Sequence, residues 1–179
     1  MRKIELNKAD VLSKLDKNSM FKTLWKEEKE KLMEIGEVLE YDDNEVIVSE
    51  GSPSSQLFAI LKGTVNVNVK KPEGTGLGDV HICDINEGDV FGESAIFIEL
   101  NRTATVTSSG KVELLKFERD DLFNFIKEYT RAGVELLVFI VYSLIIKLRE
   151  ANQEIAFDKK LFIQQKEIDK LLNSFHGKT

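Results

Sequence analysis

Two side chains of opposite charge, Glu93 and Arg102, flank a short stretch that opens with Gly92 and the small residues Ser94 and Ala95. A guanidinium such as that of Arg102 offers a planar fork of donors that holds a phosphate through paired, charge-assisted hydrogen bonds, which lysine does less well. A carboxylate only accepts, so the natural partner of Glu93 beside a sugar phosphate is a ribose hydroxyl. Gly92 permits close backbone approach, and Ser94 to Phe97 is long enough for one helical turn whose free N–H groups suit an anion. An ion pair between Glu93 and Arg102 at a turn would use the same two residues and do nothing more.

The elements that must position these groups follow from the apolar pattern. The first 36 residues read as helical, most clearly Lys26 to Ile35, where Leu32 and Ile35 share a face, Glu27 precedes Lys31 by one turn, and Gly36 ends the segment. From Val38 the pattern changes to short apolar runs broken by turn residues, which marks an antiparallel roll. Val46 to Val48 stops at Glu50-Gly51, and Leu57 to Leu61 stops at Lys62-Gly63. Val65, Val67 and Val69 alternate with Thr64, Asn66 and Asn68, which predicts three valines on one buried face. Lys70 to Asp79 reads as a loop, Val80, Ile82 and Ile85 as a further strand, and Asn86 to Asp89 as a turn. His81 alternates along that strand, and Cys83 reads as small strand packing.

After strand runs at Thr103 to Thr107 and Val112 to Phe117, Glu118 to Asp121 supplies carboxylates for a helix beginning near Leu122. Val134, Leu137, Val141, Leu144, Ile145 and Leu148 form an apolar face wider than packing on the roll requires, so a partner is implied. Leu161, Gln165, Ile168, Leu172 and Phe175 make a second seam, with a bend or stutter expected at Phe157 to Lys160. The expected organisation is an N-terminal helical segment over 1–36, a roll over 37–121, and C-terminal lid or dimerisation helices over 122–179.

Composition narrows the function. The chain of 179 residues is 42% apolar and 31% charged, the balance of one folded domain with helical additions. Its net charge of −6 would repel nucleic acid and anionic lipid, so neither is expected as a direct partner. The apolar stretch from Val134 to Ile146 falls short of the ~20 residues that span a bilayer. One cysteine and two histidines, His81 and His176, leave too few ligands for a metal centre, and no nucleophile elbow or P-loop appears. The expectation is a cytoplasmic protein that is not an enzyme and binds no metal.

Phe91-Gly92-Glu93-Ser94-Ala95, followed by Arg102-Thr103-Ala104-Thr105, resembles the phosphate-binding cassette of the cyclic nucleotide-binding domain family in residue type and in the spacing from Glu to Arg. Glu50-Gly51, Gly63 and Gly88-Asp89 also stand at family-like positions, so the resemblance spans about Phe21 to Leu148. It implies an α+β fold, an antiparallel β-roll or jelly-roll barrel flanked by N-terminal helices and long C-terminal helices, with the cassette at 91–105. It further implies cAMP or cGMP as ligand, with Gly92 and Glu93 on the ribose 2′-hydroxyl, Arg102 on a phosphate oxygen, and the N–H groups of Ala95 and Thr103 on the remaining phosphate oxygens. Thr103 permits a guanine. Glu99 and Asn101 depart from the family pattern, which often has glycine and proline there. The implied role is a sensor that moves its C-terminal helices, pairs as a homodimer through them, and signals to an unidentified effector protein. The alternative is a ligand-independent interaction module on the same fold. About thirty residues follow Leu148, too few and too little basic for a DNA-reading winged helix.

Overall fold

A computed structural model of the chain describes residues 1–4, 7–53, 55–71, 78–97 and 101–176. The chain begins with a short strand, β1 (Arg2–Lys3), so the opening segment is not wholly helical; β1 pairs with β2 (Glu37–Tyr41). Between them lie α1 (Lys8–Lys17) and α2 (Lys26–Ile35). Asn7 caps α1 by accepting from the Ala9 N–H at 3.0 Å, and the Glu28 carboxylate caps α2 by accepting from the Trp25 N–H at 2.7 Å. Gly36 does end α2, but with φ −91 and not in the left-handed region. Glycine is needed there for space: a Cβ would lie 2.6 Å from Leu115 Cδ1.

The roll continues with β3 (Val46–Val48), β4 (Gln56–Lys70), β5 (Asp79–Asn86), β6 (Val90–Phe91), a one-turn helix α3 (Ser94–Phe97) and β7 (Thr105–Glu118). All pairings are antiparallel, and the strands form an open path β1-β2-β7-β4-β5, with β3 joined to β7 and β6 to β4. Gly63, which reads as a stop, and Gly110, which falls between two separate strand runs in the sequence, are both positions inside long strands. Gly63 (φ 90) lies within β4 where its register against β7 shifts, and Gly110 (φ 72) lies within β7. A positive φ serves a turn or a bulge equally well, and a bulge lets one strand bend around the roll without ending.

Leu39, Tyr41, Val48, Phe58, Ile60, Val65, Phe91, Val106, Val112 and Leu114 form the buried core of the roll. Of the three alternating valines only Val65 is buried; Val67 packs against the edge of this core and Val69 is half-buried, because β5 beyond them is itself exposed. Cys83 on β5 is exposed, which corrects the packing expectation, and His81 is exposed with Nε2 3.3 Å from Asp84.

Helix α4 (Arg119–Glu128) starts one turn earlier than expected, with Asp120 and Asp121 in its first turn. Glu118 precedes it without a side-chain capping bond. Its carboxylate instead accepts from Gln56 Nε2 at 3.1 Å. Helix α5 (Thr130–His176) follows and runs without interruption through Phe157–Lys160. The Arg131 guanidinium near its start stacks 4.0 Å over the Trp25 ring and pairs with Glu28, tying it to α2.

The chain divides into two compact units, Met1–Leu137 and Val138–Thr179. On α5, Val134, Val141, Ile145 and Leu148 are exposed, while Leu137 and Leu144 are half-buried. The side chains of Leu161, Gln165, Ile168, Leu172 and Phe175 lie outside the described residues. Among those described, no helix is long and apolar enough to cross a membrane.

Candidate functional site

Phe91 pairs with Phe58 in the β4–β6 register, and their rings stack at 4.9 Å and 12°. This pairing ends β6 at the floor of the cassette, where Gly92 turns the chain with φ 83. A Cβ on Gly92 would stand 2.6 Å from Arg102 Nη1 and 2.7 Å from the Gln56 carbonyl, so both the backbone angle and the space require glycine. Glu93 follows, buried at 5% exposure, and α3 opens at exposed Ser94, as the spacing of small residues predicts. The side chain of Ala95 and all of Glu99 lie outside the described residues.

Arg102 arrives from the other side, just short of β7 and not at its first residue. Its main chain is clamped to the turn after β3: the Gly51 N–H donates to the Arg102 carbonyl and the Arg102 N–H donates to the Ser52 carbonyl, both at 2.8 Å. A bridge between Pro53 and Asn101 reinforces the clamp. Nη2 donates to the Gln56 carbonyl at 2.9 Å, and the guanidinium lies 5.8 Å from the Phe58 ring centroid. Thr103 is exposed and Ala104 half-buried, where the chain enters β7.

The electrostatics of this corner are unbalanced. Burial lowers the Arg102 pKa from its ordinary value, and the Glu93 carboxylate acts in the opposite direction. A guanidinium stays charged through such a shift. Its Nε is buried and, among the described residues, has no hydrogen-bond partner. A buried donor left unmade costs about 1–3 kcal/mol, more when charged, so the arrangement fits an anion able to accept from it. Gly92, Glu93 and Arg102 are thus brought together, a carboxylate and a cation in one corner.

Several participants gave no sequence signal. Gln56 contributes a main-chain carbonyl, which any residue has, and Phe58 reaches Arg102 through strand pairings that sequence spacing does not reveal. Phe97 on α3 meets Phe123 on α4 edge to face, with centroids 6.4 Å apart, and Arg119 lies over the Phe123 ring at 5.8 Å. Alternating runs expose the roll but not these cross-element contacts. Among the described residues no group of three or more His, Cys, Asp or Glu side chains is placed to hold a metal ion.

Comparison with known proteins bears on the family and the fold. Residues 38–129 match the family described as the cyclic nucleotide-binding domain. The chain is 30% identical over 105 residues to the cAMP-dependent protein kinase regulatory subunit of Dictyostelium discoideum, a stretch covering 59% of this chain and 32% of that protein. The chain therefore spans about a third of the length of that curated relative. Among solved structures, a cyclic nucleotide-binding domain from Methylobacillus flagellatus superposes with a TM-score of 0.68 at 23% identity, covering 79% of this chain and 78% of the other. The regulatory domain of Toxoplasma gondii PKA, crystallised with cAMP, gives 0.58 at 21% identity, covering 70% and 48%. At these identities the two structures speak to the fold.

Proposed function

The chain belongs to the cyclic nucleotide-binding domain family, and we propose that it is a cytoplasmic sensor, not an enzyme, that captures cAMP or cGMP at the cassette and signals through α4 and α5. Gly92 and Glu93 take the ribose 2′-hydroxyl. Arg102 takes an exocyclic phosphate oxygen, with the N–H groups of Ala95 and Thr103 on the others. Phe91, Ser94 and Ala104 shape the turn around them. The observation that carries this reading is the buried Nε of Arg102, a charged donor with no hydrogen-bond partner among the described residues. A phosphate is the acceptor that would complete it.

The route outward is supported by contacts within the first unit. Phe97 of α3 meets Phe123 of α4 edge to face, while Arg131 holds the start of α5 on Trp25 and Glu28. A ligand that favours one arrangement ~100-fold shifts the balance by about 2.7 kcal/mol, which sets the strength of the signal. The exposed apolar side of α5 supports a homodimer and an output by contact with an effector protein.

Calorimetric titration of the nucleotide-stripped full chain with cAMP and with cGMP tests the site. Saturable heat with at least one is expected, and their ratio gives the preference. No heat with either would favour the second reading, a ligand-independent interaction module, which the exposed α5 face alone would serve.

A further inference from the structure

In the second compact unit, Val138, Val141, Ile145, Leu148, Ile155 and Phe162 are each more than half exposed. Asn152 and Lys159, also exposed, fill the gaps in their spacing. Steps of three and four residues then alternate without a break from Val138 to Phe162, which is a heptad repeat on one side of α5. Val138, Ile145, Asn152 and Lys159 occupy the first core position, and Val141, Leu148, Ile155 and Phe162 the second.

Building on the homodimer reading, we propose that this seam of α5 packs against the same seam of a second copy as a parallel, in-register two-stranded coil, with Asn152 facing Asn152 across the axis. At the first core position the branched Val138 and Ile145, beside Leu148 at the second, follow the pattern of two parallel strands, while Val141, Ile155 and Phe162 at the second leave the orientation to Asn152. The Asn152 side chain sets the alignment. An amide both donates and accepts, so it satisfies its own copy across a two-fold axis. In an antiparallel pair the first core position meets the second, and Asn152 would face an apolar layer with its amide unpaired. Lys159 sits one layer on, and its stem can lie along the seam while the ammonium reaches water.

Size and charge agree with this occupant. The six apolar seam residues present on the order of 600 Å² per copy, so a pair covers ~1,200 Å², the lower bound for a specific interface. The stretch 138–163 carries four basic and three acidic residues, whereas the whole chain is at −6. Two copies laid side by side along it therefore meet little net repulsion.

The test uses the full chain with Cys83→Ser, carrying either Val138→Cys or Ile155→Cys, and reads mass by light scattering and linkage by mild oxidation of the two variants mixed. The two positions are ~25 Å apart along a helix. A dimeric mass is expected, with self-linked product exceeding the mixed product at least tenfold. A dimer giving chiefly mixed product overturns the parallel register and leaves the homodimer reading standing. A monomer at tens of micromolar overturns both and points to another protein's helix as occupant. Asn152→Ile should raise the thermal midpoint and broaden one mass into several; a single unchanged dimer would remove Asn152 from its role. Nucleotide titration of the same samples is independent of mass, so a failure to bind cAMP or cGMP counts against the cassette alone.

Discussion

Glu40 lies within the sheet and Arg102 just short of it, and the surroundings of these two charged groups differ in one respect. Glu40 is buried on β2, yet Arg2 approaches it at 2.5 Å and Lys111 at 2.8 Å, and those partners hold its pKa below the ordinary carboxylate value. Arg102 has one carbonyl, a ring face and a neighbouring carboxylate. Glu40 has its ionic partners within the chain, whereas the Arg102 Nε has no hydrogen-bond partner among the described residues. The difference separates two kinds of buried charge that a sequence lists alike.

The strongest way to break this comparison is Arg102→Ala. Loss of ~2–5 kcal/mol of cyclic nucleotide affinity is expected by calorimetry, with no fall in the thermal midpoint of the unliganded protein, since an incompletely satisfied buried cation is removed. Unchanged affinity would contradict the assignment. Gly92→Ala comes next: the Cβ meets Arg102 Nη1 and the Gln56 carbonyl at a positive φ, so affinity should fall at least tenfold, with about 1–3 kcal/mol of stability lost in denaturant unfolding. Glu40→Gln should do the reverse, lowering the melting temperature while leaving the titration curve in place. A drop in affinity there would blur the two classes.

The smallest effect concerns acid. Hydrogen bonds from Lys116 and Lys3 lower the Glu37 pKa from 4.5 to about 2. A lowered folded-state pKa contributes stability that is complete above pH 4.5 and is lost as pH falls toward 2. Glu37→Gln should therefore flatten the unfolding profile between those values and leave neutral-pH affinity alone. A profile still as steep would assign the acid sensitivity to other carboxylates.

The turn at Gly92 and the one-turn helix after it were legible because their signals are local. Phe91 to Ala95 and Arg102 to Thr105 are near neighbours in the chain, and their residue types constrain what they can do. Helix α2 was legible for a similar reason, through its periodicity. Gly63 misled because the same backbone freedom serves a turn and a bulge, and only the partner strand distinguishes them. Cys83 misled because alternation fixes the two faces of a strand without saying whether anything covers either. Gln56, Phe58 and the Phe97–Phe123 contact depend on which strands and helices become neighbours, so no run of residues announces them.

The bond from Arg102 to the Gln56 carbonyl has a consequence for how this protein can vary over generations. Because the anchor is main chain, every residue type at position 56 supplies it, and the codon is free to change without releasing the arginine. The Gln56 side chain meanwhile reaches Glu118 at the foot of α4. Drift at this one position therefore alters the link to α4 while the grip on the guanidinium is inherited intact.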